Sequence, residues 1–261
     1  MSSGPPQLAG RRVSAGVPAP IVVGIAAAWA ACAAAQAGGA AALVHHDRLI
    51  EDGPGPLLGL GLFLLAWQLM VAAMMLPSSL PLVRLFGAAS RGAPRSGAAM
   101  AAFLGGYALV WSAFGALAFG FDVLVHAAVG SSPWLAAHDW LIGGSVLALA
   151  GAFQFTQLKD ACLEGCRHPA QFMIRFYERG PGGGFRLGVR HAAFCVGCCW
   201  ALMLVMFAAG VASLIWMAAL TALMVHEKTR PTGRTAVPVT GVALLALSSV
   251  VLLYGAAAGP V

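Results

Sequence analysis

Apolar residues run through this chain in long blocks separated by short clusters of Gly, Pro, Ser and charged residues. The blocks lack the period-two alternation of a barrel strand. Seven of them, at 19–43, 57–83, 98–121, 139–158, 189–208, 210–226 and 237–256, come near the ~20 apolar residues that a ~30 Å hydrocarbon core requires, the sixth being the shortest. Lipid offers the backbone no hydrogen-bond partner, so each block is expected to satisfy its own amides as an α-helix. The predicted fold is all-α, a polytopic transmembrane helix bundle of about seven spans in one domain, 19–256. It is preceded by a disordered cytoplasmic tail at 1–18.

The breaks between blocks are chemically distinct. Gly53-Pro54-Gly55-Pro56 interrupts the chain before the second span, and Ser131-Ser132-Pro133 lies in a long connection between the third and fourth. The polar segment 159–190 is the one connection able to form a small structured element. Within it Pro169 is a break, and 170–179 reads as a short amphipathic helix through Phe172, Ile174, Phe176 and Tyr177. Pro181-Gly182-Gly183-Gly184 reads as a flexible turn. The pairs Gly105/Gly106 and Gly143/Gly144 read as small surfaces for close helix packing.

Composition sharpens this picture. With 60% hydrophobic and 9% charged residues and a mean hydropathy of +0.84, the chain has no room for a large soluble domain. The seven-span reading places Arg11/Arg12, Arg84/Arg91/Arg95, Lys159 through Arg190, and Lys228/Arg230/Arg234 on one side. Only Arg48 of the 15 Lys and Arg falls on the other. The positive-inside rule makes the first side cytoplasmic, giving an N-in/C-out protein with an uncleaved first span. The opposite loops carry Asp47, Glu51, Asp52, Asp122 and Asp139. The cations are dispersed among loops without an RNA or DNA motif, so they argue against a nucleic-acid partner; the expected surroundings are the lipid bilayer.

Five of the six cysteines fall in two short runs, Cys162-Leu-Glu-Gly-Cys166 and Cys195-Val-Gly-Cys198-Cys199. At 3.6 residues per turn, His191, Cys195, Cys198, Cys199, Met203 and Met206 follow one helical stripe, a ladder of soft donors. Thiolate, imidazole and thioether select Cu(I) or Zn(II), and thioethers tilt the choice toward Cu(I). Cys162 and Cys166, four apart, share a face if the fourth span continues as a helix, and would then bring two further thiols to the same end of the bundle. Met70, Met74 and Met75 add thioethers in the second span beside Pro77 and Pro81, which are expected to kink the helix and free carbonyls. His45, His46, Asp47, Glu51 and Asp52 form a polar cluster at the opposite face that reads as a solvated loop.

The order of motifs is also informative: Met70-x-x-x-Met74-Met75-x-Pro77, then Leu158-Lys159-x-x-Cys162-x-x-x-Cys166-Arg167-x-Pro169, then Arg186 through Met203 with Cys-Gly-Cys-Cys-Trp-Ala-Leu-Met spaced as Cys195-x-Gly197-Cys198-Cys199-Trp200-Ala201-Leu202-Met203, then Trp216-Met217 and Glu227-Lys228. Over roughly 60–230 this resembles a bacterial family catalogued as predicted metal-binding integral membrane proteins of unknown function. The resemblance implies a multi-pass protein of the bacterial inner (cytoplasmic) membrane with a cysteine-based metal site. It carries over Cys162, Cys166, His191, Cys195, Cys198, Cys199 and the Met70/Met74/Met75 group.

These readings converge on a membrane protein that binds a soft transition metal, Cu(I) before zinc, at a cytoplasm-proximal cysteine cluster. It would then handle or transport that metal, with a metallochaperone or membrane complex as partner. No P-loop, phosphorylation motif or catalytic triad accompanies the cluster, so an enzyme is the less favoured reading. A thiol–disulfide oxidoreductase using Cys195/Cys198 with Cys162/Cys166, and a non-catalytic membrane subunit, remain the alternatives.

Overall fold

A computed structural model describes residues 16–40, 45–51, 53, 55–209 and 213–259; most of the expected tail (1–15), Asp52 and the first residues of the sixth predicted span lie outside them. Every regular element among the described residues is helical: α1 (Ala19–Ala37), α2 (His46–Glu51), α3 (Pro56–Ser90), α4 (Ser96–Ser131), α5 (Pro133–Ala136), α6 (Trp140–Phe153), α7 (Gln157–Arg167), α8 (Pro169–Phe176), α9 (Gly180–Ala209), α10 (Leu214–Thr229) and α11 (Gly233–Ala258). Five of these, α1, α3, α4, α9 and α11, are long and apolar enough to cross a membrane. A sixth crossing results if α6 and α7 count as one broken span. The sixth predicted block corresponds to α10, whose 16 residues fall short of the length a full crossing needs.

Three helices extend beyond their predicted ends, because hydropathy reads apolar content whereas helix continuation is decided by packing. α3 and α4 have 35 and 36 residues. At 1.5 Å per residue each is over 50 Å long, more than a ~30 Å hydrocarbon core would cover. α9 starts at Gly180, so Pro181-Gly182-Gly183-Gly184 is its first turn rather than a flexible turn. The reason is the α4–α9 crossing, the most extensive helix pairing of the bundle. A Cβ at Gly184 would run into the Ala99 carbonyl, and one at Gly188 into the Phe103 carbonyl. Glycine here permits backbone-to-backbone approach. Of the predicted packing pairs only one member does this work: Gly106 faces α9 and Gly144 faces Leu252 of α11, whereas Gly105 and Gly143 face open space.

Pro77 removes the amide that would bond the Ala73 carbonyl, and Trp29 of α1 donates its indole N–H to that oxygen at 2.9 Å. The kink-prone turn is thereby satisfied, and α1 is fastened to α3. Beyond the proline, Ser78 and Ser79 hydroxyls both donate back to the Met75 carbonyl. This turn carries the residues that meet the cysteines.

The fourth predicted span does not continue straight. It breaks after Phe153, and α7 leaves at 65°. Thr156 caps α7 by accepting from the Lys159 amide at 3.3 Å. Its buried positions, Lys159, Leu163 and Cys166, repeat at helical spacing and face the bundle. Its last turn is latched to the α10–α11 connection, where Arg167 donates to the carbonyls of Glu227 and Arg230, each at 2.9 Å. α8, starting at Pro169, is the short amphipathic helix expected at 170–179. It buries Phe172 and Met173, leaving Ile174 exposed.

Candidate metal centre

The thiols lie midway along α9, where α3, α4, α7 and α10 converge on it. Cys195, Cys198 and Cys199 are buried, as are Cys166, Met70, Met74, Met75, Met203 and Met206; Cys162 is half-buried. All belong to one core. Small size makes the approach of α7 possible, since a Cβ at Gly197 would meet the Cys162 sulfur.

Sulfurs meet here in pairs from different helices. Cys166 Sγ is 3.9 Å from Cys198 Sγ, and Cys199 Sγ is 3.7 Å from Met75 Sδ. Two sulfurs bound to one ion at ~2.3 Å lie about 3.8 Å apart at the tetrahedral angle and about 4.6 Å apart when linear. Both observed pairs are close to that range, and far beyond the ~2.05 Å of a disulfide. All six cysteines are free. In the present arrangement the Cys198 and Cys199 thiols donate to the Cys195 carbonyl, at 3.1 and 2.8 Å. Beyond that shared carbonyl, each of the three α9 cysteines has a partner on a different helix. Cys198 pairs toward α7, Cys199 toward α3 and Cys195 toward α4 and α10.

Cys195 has a polar environment that sequence reasoning did not assign to it. The Tyr107 hydroxyl lies 3.2 Å from its sulfur, and the Lys228 ammonium donates to the sulfur at 3.2 Å and to Ser78 Oγ at 3.1 Å. Lys228 is buried and makes no carboxylate pair among the described residues, so the Cys195 sulfur, once deprotonated, is the group placed to balance its charge. Beside it Lys159 and Glu227 form a separate, fully enclosed ion pair at 2.8 Å. From sequence, Lys159 and Lys228 read as topogenic or anchoring cations; their burial at helix ends adjoining cysteines was the available signal, and only the fold reveals it. His191 sits in the same polar chain, not against the thiols. Its Nε2 is 3.1 Å from Ser79 Oγ, which lies 3.3 Å from the Tyr107 hydroxyl. Before α9, the hydrogen bond and charge of Arg186 hold the Glu178 carboxyl below the usual carboxylate range and fasten the connector to the helix.

The methionines continue the path in one direction along the core, because α3 and α9 run antiparallel: His191 meets Ser79, Cys199 meets Met75 and Phe207 meets Trp67. Met203 and Met206 follow Cys199 on α9, and Met70 and Met74 precede Met75 on α3, all fully or nearly fully buried. Met206 is followed by Phe207, whose ring packs 4.9 Å from that of His46 in α2.

The cluster that read as a solvated loop is also ordered. His46 is buried, with Nδ1 2.7 Å from Asp122 Oδ2 and 3.0 Å from Asp47 Oδ1; Glu51 is exposed. Asp122 and His126, one turn apart on the C-terminal end of α4, complete it. Sequence reading assigned that end of α4 to a loop and so did not bring His126 to this place.

Among known proteins, one family model, PpoB2, described as "Copper chaperone", matches residues 64–251. That is 188 of 261 residues and includes both cysteine runs and every methionine named above. No curated protein and no solved structure matches the chain.

Proposed function

This chain belongs to the PpoB2 copper chaperone family, and from that premise we propose that it is a multi-pass inner-membrane protein that takes up Cu(I) at its buried thiols and passes it along a thioether path through the bundle. The observation that carries the reading is the pairing of sulfurs from three helices, Cys166 with Cys198 and Cys199 with Met75, at separations that one ion could bridge. The donors at these two pairs are all sulfur, and a d10 cation needs no rigid coordination number from them.

Transfer between such pairs is ligand exchange, with no net redox step. Copper is the cargo: as it arrives, a thiol proton leaves and the thiolate bonds the ion. The Lys228 ammonium, 3.2 Å from Cys195, is placed to compensate a thiolate while the site is free of metal, and Tyr107 can donate to the same sulfur. Neutral thioethers of Met203, Met206, Met70 and Met74 then bind the ion without adding charge to the membrane interior, and weakly enough to release it.

The proposed topology is N-in/C-out with seven crossings, α10 being a short one. Its support is the distribution of Arg and Lys, which puts the α3–α4 turn and α7–α8 on the cytoplasmic side. Copper would then enter from a cytoplasmic donor. Anaerobic titration of the purified chain with Cu(I) against a chromogenic chelator tests the reading. Stoichiometric binding that falls in Cys198→Ser and is untouched in Cys32→Ser is expected. A metal-free protein with a reversibly oxidised cysteine pair would instead establish the oxidoreductase alternative.

A further inference from the structure

The ends of α2 and α4 bring together His45, His46, Asp47, Asp122 and His126, with ligand atoms in two overlapping groups of three, each group lying within 4.8 Å. The hydrogen-bond geometry of this cluster calls for a positive charge, either a second proton on His126 or a metal ion. His126 Nδ1 is 3.0 Å from the Asp122 backbone carbonyl. A carbonyl only accepts, so Nδ1 carries the proton and, in the neutral ring, Nε2 presents its lone pair. That lone pair faces another acceptor, Asp47 Oδ1, at 3.1 Å. His46 has the converse problem. Its Nδ1 can hold one proton, yet it lies 2.7 Å from Asp122 Oδ2 and 3.0 Å from Asp47 Oδ1. Its Nε2 is buried with no partner among the described residues.

A divalent ion resolves both conflicts. Nitrogen and oxygen donors held at ~2.0–2.2 Å by one ion lie roughly 3.0–3.5 Å apart, which is close to the 2.7–3.1 Å that separate His46 Nδ1 from Asp122 and Asp47 and His126 Nε2 from Asp47. A metal-bound imidazole ordinarily donates its other N–H to a carbonyl or carboxylate, as His126 does toward Asp122. The site is enclosed on one side and open on the other: the side chains of His46, Asp122 and His126 are 6%, 13% and 22% exposed, whereas that of Asp47 is 46% exposed. It stands at the end of the α9 donor ladder, where Phe207, next to Met206, packs against His46.

We infer that Asp47, Asp122 and His126 form the core of a second metal site, with His46 beside it as a further ligand, for a divalent first-row ion held through nitrogen and oxygen, with Cu(II) preferred by the Irving–Williams order. His45, 3.2 Å from Asp47, stands at its edge as a further donor. The assignment needs no contribution from the thiols. The cluster supplies the hard-to-borderline donors that the thiol centre lacks, so the two ends of the bundle are selective for different ions.

The experiment separates the two sites. Cu(II) is titrated into the full chain with Cys32, Cys162, Cys166, Cys195, Cys198 and Cys199 replaced by Ser, and followed by electron paramagnetic resonance. One equivalent with imidazole-nitrogen hyperfine splitting is expected. The double variant His46→Gln/His126→Gln should weaken binding at least ~100-fold, and Asp122→Asn alone should also weaken it. The same spectrum can be read on the native chain after its thiols are loaded with Cu(I), which is silent in this measurement, so poor folding of the serine chain does not decide the question. Absence of nitrogen-coordinated Cu(II) in both chains, or splitting that persists in the double variant, overturns the site and leaves these residues as an ion-paired clamp between α2 and α4.

Discussion

Replacing Lys159 with Met isolates what holds α7, and hence Cys166, against α9. Lys159 Nζ donates to Glu227 Oε2 at 2.8 Å, with the two side chains 0% and 2% exposed. At an effective dielectric of 20 the attraction at that separation is about 6 kcal/mol, offset by several kcal/mol of desolvation for each ion. The net value of the intact pair is therefore small, whereas removing one partner strands the other. Lys159→Met should cost about 3–5 kcal/mol, and Lys159→Met/Glu227→Gln should recover most of that loss. For a chain of this size such a cost lowers the melting temperature by on the order of 10 °C. The buried thiols provide the assay. A dye that fluoresces on reacting with cysteine reports unfolding on heating, and alkylation at constant temperature reports local release of α7. Cys166 should be alkylated earlier than Cys198 in the single variant, because α7 is then held at its other end by the exposed contacts of Arg167 and of the Arg234–Glu164 pair. Equal stability of single and double variants, or unchanged Cys166 protection in Lys159→Met, would refute the idea that this ion pair fixes α7.

Other consequences are as direct. Gly188→Ala places a methyl against the Phe103 carbonyl and should destabilise by about 1–3 kcal/mol in the same thermal assay, whereas Gly105→Ala, facing open space, should be neutral or stabilise by up to about 1 kcal/mol. Met70→Leu/Met74→Leu, close to volume-conserving and costing below ~1.5 kcal/mol per site, should keep bound Cu(I) in vesicles yet move little of it; unchanged flux would make these methionines core filler. A reporter fused after Val261 should be active only outside the cytoplasm, and one inserted in the exposed turn at Gly92, between α3 and α4, only inside; the opposite pattern for both would reverse the direction proposed for copper.

The helical bundle was legible because apolar runs in lipid have few alternatives, and so was the α9 stripe from His191 to Met206, since it depends only on helical periodicity. The centre's surroundings were not. Lys159 and Lys228 belong to types that flank membranes, and nothing in the local sequence says that α7 folds back at 65° to enclose the first and bring Cys166 to Cys198. Gly180–Gly184 reads as a turn until the Ala99 carbonyl requires glycine at Gly184 inside a helix. The Asp122–His126 face was hidden because the polar end of α4 lies past the apolar block that marked the span. In each case the missing information is tertiary: an opposing charge, carbonyl or ring that lets a locally unfavourable residue stay in a helix.

The central claim is that sulfurs of separate helices bind one Cu(I). Copper K-edge X-ray absorption on the anaerobically loaded full chain tests it most directly. The account predicts a two- or three-coordinate Cu(I) edge with sulfur scatterers at about 2.2–2.3 Å, and loss of sulfur neighbours in both Cys166→Ser and Cys198→Ser. A spectrum dominated by nitrogen or oxygen neighbours, or sulfur coordination unchanged in both variants, would contradict it.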